Sequence, residues 1–321
     1  MAKVSIVIPV YNAEKFLPAC FDSLSALDAG DVELCFVDDG SCDDSLRMME
    51  DFAKDFNKGE VKVLRHERNR GVAAARNTAL DNATGEYVMH IDCDDGFRPD
   101  IVSKAVEAVV AGELDIVGFD CILESPSSSR YFRQPECPDG DYALETIMKG
   151  TRKWNLWLYI VKRSLYEGIR FVEGDNLGED LTVMSELLAR AKKTAQIHEA
   201  LYYYRQSPAS VSYSFTDEKI GQIRRNLGNL EAFLKKEKPM LVGYLPFLKL
   251  NLKLPLLMTG SRSDYLLWKG LFPEADSHIM ENNLLAFRTS LIQKCAALGL
   301  WPLVKGYQFM VTKVYYRYGR A

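Results

Sequence analysis

Three carboxylates crowd the end of an apolar run in Tyr87–Gly96, YVMHIDCDDG: Asp92, Asp94 and Asp95, with only Cys93 among them. Carboxylates held this close repel one another and favour a compensating cation. Hard oxygen ligands suit Mg2+ or Mn2+, and such a metal bridges protein oxygens to phosphates. Asp94 is the first candidate for direct metal ligand. Asp92 is suited to reach a ribose or a metal-bound water. Asp95 is suited to hold the loop or to orient either neighbour. An acidic turn with no ligand would use the same residue type, since Asp also favours turns and helix caps.

Four more charged residues could join this chemistry. Asp39, in VDDGS at 37–41, can accept a hydrogen bond from a pyrimidine N–H or a ribose hydroxyl. Arg76 can offset the carboxylates or touch phosphate, or simply form a structural salt bridge. Arg205, after three tyrosines at 202–204, can close over a diphosphate or serve structure alone. Asp180 opens an amphipathic stretch far along the chain. There it could take the proton from an attacking hydroxyl, apart from any metal. Glu179 beside it could orient the acceptor or its neighbour. The plainer role for both acids is to favour a helix N-terminus.

The surrounding pattern is what positions these residues. Apolar runs at 3–10, 32–37, 61–64, 87–91 and 114–119 read as strands. Between them, stretches from about Glu14, Asp43, Val72 and Pro99 carry apolar residues at helical spacing. Alternating strands and helices predict an α/β fold with a mostly parallel sheet flanked by helices. Ligands of such sheets bind at the carboxyl ends of the strands, where Asn12, Asp38, Asp39, Asn69, Asp92 and Asp94 fall. After Cys121 the rhythm changes. Residues 125–140 read as a loop or flap, 194–197 as a strand followed by the tyrosine run, and 206–214 as a polar loop. A helix over 216–237 closes a predicted catalytic domain of 1–237, with a nucleotide-binding half (1–120) and an acceptor-binding half (121–237).

Residues 238–321 are predicted to form a helical, basic and aromatic extension. From Lys235 onward there are 13 Lys and Arg against 5 Asp and Glu, a net of +8, which leaves −12 of the total −4 on residues 1–234. Basic and aromatic residues together suit a peripheral membrane surface. A cap on the catalytic domain or a homodimer contact would suit them equally. The acidic front disfavours nucleic acid. No signal peptide and no spanning helix are expected. The seven cysteines, an odd number without a CxxC pair, read as reduced and intracellular.

Six segments in order resemble the large inverting family 2 glycosyltransferases with the GT-A fold. They are VSIVIPVYNAEKFLPACFDSL at 4–24, CFVDDGSCDDS at 35–45, NRGVAAARNTAL at 69–80, GEYVMHIDCDDG at 85–96, GEDLTV at 178–183 and ALYYYRQSPASVS at 200–212. The likeness is strong to about residue 120, good to about 215 and weak beyond. It implies that Asp39 holds the nucleotide base and that Pro9, Tyr11 and Arg76 line the nucleotide pocket. It implies that Asp92 is the ribose- or sugar-proximal acid of the DxD motif, Asp94 the metal ligand, Arg205 a diphosphate contact and Asp180 the catalytic base. Cys42 and Cys93 stand where the family commonly has Thr, and Ser or Ala. Both are small and leave the carboxylates intact.

The implied activity is transfer of a sugar from a nucleotide-sugar donor, a UDP-sugar first, to a glycan or lipid-linked acceptor in bacterial polysaccharide assembly. Mn2+ or Mg2+ would be the cofactor, and the location cytoplasmic or peripheral on the inner membrane face. His66 and His90 are expected to be structural, and His198 to have a local role. A non-catalytic sugar-nucleotide binder would have no reason to keep both Asp94 and Asp180. A nucleotidyltransferase would want a Gly-rich basic loop after the first strand, which Tyr11–Glu14 does not supply.

Overall fold

The computed structural model describes residues 3–125, 128–175, 177–205, 216–259, 261–283 and 285–310. It divides into two compact units, 1–143 with 153–233, and 144–152 with 234–321.

The first unit is built on one sheet. Strand β1 (Val4–Val10) is apolar on both faces, and Ile6, Val7 and Ile8 are wholly buried, as a central parallel strand requires. Helix α1 (Leu17–Ser25), β2 (Val32–Asp38), α2 (Ser45–Asp55), β3 (Gly59–Arg65), α3 (Val72–Asn82) and β4 (Tyr87–His90) follow in the predicted alternation. Then come β5 (Gly96–Phe97), α4 (Ile101–Gly112), β6 (Ile116–Ser125), β7 (Ser128–Phe132), α5 (Gly140–Met148), β8 (Tyr159–Lys162), α6 (Glu179–Arg190), β9 (Thr194–Arg205) and α7 (Asp217–Glu237), with α5 from Leu144 and α7 from Leu234 counted in the second unit. The sheet order is β3-β2-β1-β4-β8-β6-β9-β5, with β7 hanging on β6. Strands β3, β2, β1 and β4 are mutually parallel, as are β6 and β9. Strand β8 lies antiparallel between β4 and β6, so both sets point the same way.

Two sequence expectations change here. The 125–140 segment is not simply a loop. Its first part pairs with β6 as an antiparallel hairpin, Cys121 opposite Phe132 and Ser125 opposite Ser128. Serine and arginine on an exposed outer strand hid the strand's alternation. The strand at 194–197 and the tyrosine run are one strand, interrupted by a register shift opposite Phe119–Cys121. That bulge holds His198, whose Nε2 lies 2.6 Å from Glu136 and Nδ1 3.5 Å from Asp120. The expected local role of His198 fits this position. The 206–214 loop lies outside the described residues.

The second unit is helical: α8 (Leu245–Lys253), α9 (Pro255–Met258), α10 (Arg262–Gly270), α11 (Phe287–Ala297) and α12 (Trp301–Phe309). Leu248, Leu256, Tyr265, Trp268 and Ala296 lie in its core. Lys253, counted in the sequence among the basic residues of the tail, is fully buried. Its ammonium donates to the Leu271 carbonyl (3.0 Å) and to Asp276, and stacks 4.0 Å from the Trp268 ring. Lys249 pairs with Glu274 at 2.9 Å. Neither lysine is a free surface charge. The expectation of no spanning helix meets one apolar stretch, built as a 3-10 turn at Pro239–Tyr244 followed by α8 and α9. By length and composition alone, the 20 residues Pro239–Met258 could cross a membrane, and 39% of their apolar window is buried in the fold. Tyr315, Tyr316, Tyr318, Lys313 and Arg317 lie outside the described residues.

Candidate active site

The loops after β1 and β2 are laced together. Asn12 adopts a left-handed conformation (φ 48°). Its amide nitrogen donates to Ser41 Oγ (3.0 Å), and its side-chain carbonyl accepts from the Cys42 amide (2.9 Å). Pro9 lies in β1 opposite Val37, and Tyr11 at the strand's end is half exposed (49%). Gly40 is required at its place: φ is +73°, and a Cβ there would fall 2.6 Å from the backbone of Arg68. The 68–71 loop therefore sits directly on the Asp39–Gly40 turn.

Asp39 is buried (3% exposed) and ties that loop down. Its Oδ1 accepts from the Arg70 amide (2.9 Å) and lies 2.7 Å from His66 Nδ1, and its Oδ2 accepts from the Gly71 amide (2.7 Å). The acceptor-only carboxylate fixes the His66 tautomer with hydrogen on Nδ1. Nε2 then faces Thr78 Oγ1 at 2.8 Å. Asp38, beside it, is fully buried and keeps Oδ2 without a hydrogen-bond partner.

The acidic segment divides into two parts. Asp95 turns inward (1% exposed), where Tyr202 Oη donates to Oδ2 (2.8 Å) and the Arg205 amide to Oδ1 (2.8 Å). Tyr202 Oη also accepts from the Asp92 amide (3.2 Å). Burial, then the charges of Asp92 and Asp94, push the Asp95 carboxyl up to about 8. Asp95 thereby ties its loop to β9. Asp94 stays exposed with no side-chain hydrogen bond or ion pair among the described residues. Crowding by surrounding atoms, then the Asp92 charge, raises its carboxyl. Arg205 leaves its guanidinium half exposed, 3.8 Å from Glu124. The same guanidinium lies against Gly96, where a Cβ would stand 3.2 Å from it.

Arg76 joins the two halves of the unit. It is buried (6% exposed), donating to Glu179 Oε1 (2.6 Å) and to Asp92 Oδ1 (3.3 Å), with Nε unpartnered. Burial disfavours its charge, but Asp92, Glu179 and Asp180 more than offset this and raise its pKa. The guanidinium thus offsets the charge of two carboxylates, Asp92 and Glu179. Glu179 is therefore engaged with Arg76. Asp180 accepts from the Leu181 amide (2.9 Å) and, at 3.3 Å, from Asn155 Nδ2. Burial, then the neighbouring Glu179 charge, pushes its carboxyl up to about 7, against the pull of Arg76. A carboxylate poised near neutrality suits a general base. His90 is buried against Tyr166 (3.1 Å), consistent with a structural residue.

Tyr202 and Asn155 were not singled out in the sequence. Tyr202 lay hidden in an aromatic run that reads as core. Asn155 sits at the start of an apolar segment with no motif around it.

No group of three or more His, Cys, Asp or Glu side chains converges on a metal position among the described residues. Asp94 with Asp92 could still furnish carboxylate oxygens. The unpartnered Asp94 and its raised pKa fit a cation whose remaining ligands come from phosphate and water.

The sequence profile of glycosyl transferase family 2 matches residues 5–180, more than half the chain, and the chain belongs to this family. The glycosyltransferase EpsJ of Bacillus subtilis (strain 168) is 31% identical over 219 residues. That match covers 65% of this chain and 62% of EpsJ, so less than two thirds of that relative is spanned. Among solved structures, S. aureus TarS 1–349 in complex with UDP-GlcNAc superposes with a TM-score of 0.67 at 18% identity, covering 99% of this chain and 92% of TarS. The mannosyltransferase PcManGT from Pyrobaculum calidifontis, in complex with GDP-Man and Mn2+, gives 0.57 at 17% identity, covering 100% and 88%. The fold is the GT-A architecture that the sequence motifs imply.

Proposed function

We propose that this chain is an inverting, metal-dependent glycosyltransferase. It moves a sugar from a nucleoside-diphosphate sugar, a UDP-sugar first, to a hydroxyl of a glycan or lipid-linked acceptor in polysaccharide biosynthesis. The observation that carries this reading is the charge chain Asp92–Arg76–Glu179 beside Asp180. It ties the end of β4, where a donor's diphosphate would lie, to the start of α6, where a base is tuned near neutrality.

In this reading Asp180 accepts the hydroxyl proton as the acceptor oxygen attacks the anomeric carbon from the face opposite the diphosphate. Glu179 and Arg76 fix the start of α6 and keep Asp180 from pairing fully with the guanidinium. Asp39 fixes the 68–71 loop and, with Pro9 and Tyr11, forms the base pocket. Asp94 would hold Mn2+ or Mg2+ with Asp92 beside it, and Arg205 would contact the diphosphate. When bound, the metal supplies positive charge that stabilises the departing nucleoside diphosphate. Support for a UDP-sugar comes from TarS, which is described with UDP-GlcNAc, and support for Mn2+ from PcManGT.

Residues 1–237 carry catalysis in this proposal, and 238–321 provide a contact with an anionic membrane or a second copy, at the cytoplasmic face. Met240, Phe287, Leu298, Leu303 and Phe309 of that extension are exposed, which supports such a contact. Calorimetric titration with UDP, GDP and CDP, with Mn2+ and with EDTA, tests the donor side. Tight metal-dependent binding of one nucleotide, lost in Asp94→Ala, is the expected result. Absence of binding by folded protein would refute the proposal.

A further inference from the structure

Lys153 lies two residues before Asn155, which touches Asp180, and has no acidic partner among the described residues. Its ammonium lies 5.0 Å from the centre of the Phe132 ring and makes no hydrogen bond or ion pair among the described residues. Its backbone is fixed on both sides, the amide donating to Gln134 Oε1 (2.9 Å) and the carbonyl accepting from Tyr159 Oη (2.5 Å). Two residues on, Asn155 touches Asp180 (3.3 Å). Two further on, Trp157 stacks on Tyr202 with 4.5 Å between ring centres, and Tyr202 holds Asp95. The segment 153–157 thus runs from the base to the acidic loop. On the outer hairpin, Arg130 shares a face of β7 with Phe132, since side chains alternate along a strand. Arg130 is exposed and also has no ion pair among the described residues.

Lys153 and Arg130 form a pair of like charges with no acidic side chain bonded to either among the described residues. Burial lowers the Lys153 ammonium pKa, and Arg130 adds to this, while Asp180 acts from a distance to raise it. A half-buried ammonium in that position gains most from an incoming anion, because charge-assisted hydrogen bonds exceed neutral ones.

We infer that Lys153, with Arg130, docks an oxyanion carried by the acceptor, placing the acceptor's hydroxyl at Asp180. The acceptor class is then a phosphate- or carboxylate-bearing glycan or lipid-linked sugar and not a neutral one. This inference rests on the transferase reading above, with Asp180 as base.

The test uses full-length protein saturated with UDP and Mn2+. Lysines are labelled briefly with acetic anhydride, and the Lys153 peptide is quantified by mass spectrometry. Methyl phosphate, dimethyl phosphate and glucuronate serve as anionic probes, and methyl glucoside as the neutral control. An oxyanion should slow labelling of Lys153 on the order of tenfold relative to the other lysines, the size of one charge-assisted hydrogen bond. Methyl glucoside should not, and Arg130→Gln should weaken the protection.

Protection by the phosphates alone assigns a phosphate-bearing acceptor, and protection by glucuronate as well assigns a general oxyanion site. If UDP binds but no anion protects Lys153, the inference is overturned and the transferase reading stands. If UDP fails to bind folded protein, the reading itself fails and the inference falls with it.

Discussion

Asp39 receives three hydrogen bonds from the protein, all at 2.9 Å or shorter, whereas Asp180 receives one from its own helix and one long bond from Asn155. In the proposed reaction the two carboxylates serve opposite sides, nucleotide and acceptor, and the fold surrounds them in opposite ways. On the nucleotide side a charge is satisfied in advance and used as a fastener for the 68–71 loop. On the acceptor side a charge is left expensive, crowded by Glu179 and partly withdrawn from water. A satisfied carboxylate holds shape, while an under-satisfied one keeps an appetite for a proton. The difference teaches that similar sequence signals, an acid after a strand and an acid opening a helix, can be built into different chemical tools by their neighbours.

Substitution of Asp180 by Asn should show the largest effect. It removes the proton acceptor while keeping the shape; the one remaining oxygen can accept from the Leu181 amide, and the NH2 then meets Asn155, whose own amide must turn its oxygen toward it to keep a hydrogen bond. Transfer is expected to fall by about 10²–10⁴-fold, the usual worth of a general base. UDP affinity, measured by calorimetry, should stay within a factor of about two. Transfer at the normal rate would remove Asp180 from the mechanism and erase the contrast with Asp39.

Next in size is the bridge between the two sides. Arg76→Met leaves Glu179 buried and unpaired, at a cost of about 3–5 kcal/mol in stability. The double change Arg76→Met with Glu179→Gln removes both charges and should recover much of that loss in thermal denaturation. If the single and double variants melt alike, Arg76 and Glu179 are not coupled as their 2.6 Å contact indicates.

Much of this arrangement was legible in the sequence, for identifiable reasons. Strands β1, β2 and β4 are apolar on both faces and end abruptly in polar residues, so they announce both a parallel sheet and its working edge. Asp180 and the DxD segment stood out because acids at such positions need explaining. Pairing was less visible. Strand β8 is four residues long and β5 only two, too short to show a period, so the antiparallel insertion between β4 and β6 left no trace. Arg76 could be named but not assigned, because its partner Glu179 lies 103 positions away. In the C-terminal unit, composition misled: a buried lysine counts in the sequence as surface charge until its ligands Asp276 and the Leu271 carbonyl are seen.

A gentler change tests the fastener side. Asp39→Asn keeps one acceptor oxygen but turns an NH2 group toward either the Gly71 amide or the pair formed by His66 and the Arg70 amide. Donor then faces donor in a buried place, at a cost of about 1–3 kcal/mol. The melting temperature should fall, and UDP affinity should fall with it as the 68–71 loop loosens. Asp180→Asn should do the reverse at mildly alkaline pH, since it relieves repulsion with Glu179. A stabilised Asp39→Asn would mean that its hydrogen bonds do not hold the loop.

The smallest effect sharpens the acceptor side. As the proposed base, Asp180 must be ionised to act, and burial with the Glu179 charge pushes its carboxyl up to about 7. Its folded pKa is raised, so the stability it contributes is fully present in acid and is lost as pH rises through about 7. Activity runs the other way: kcat/KM should climb as pH rises through about 7 and then level. Glu179→Gln removes the neighbouring negative charge and frees Arg76 to draw closer to Asp180. Both changes favour the ionised carboxylate, so the rising limb should move to lower pH, by on the order of one pH unit. A limb that stays in place, with Arg76 still buried and the protein folded, would assign the tuning of Asp180 to burial alone. An alkaline shift would mean that Glu179 was positioning Arg76 to lower the Asp180 pKa, not raising it by repulsion.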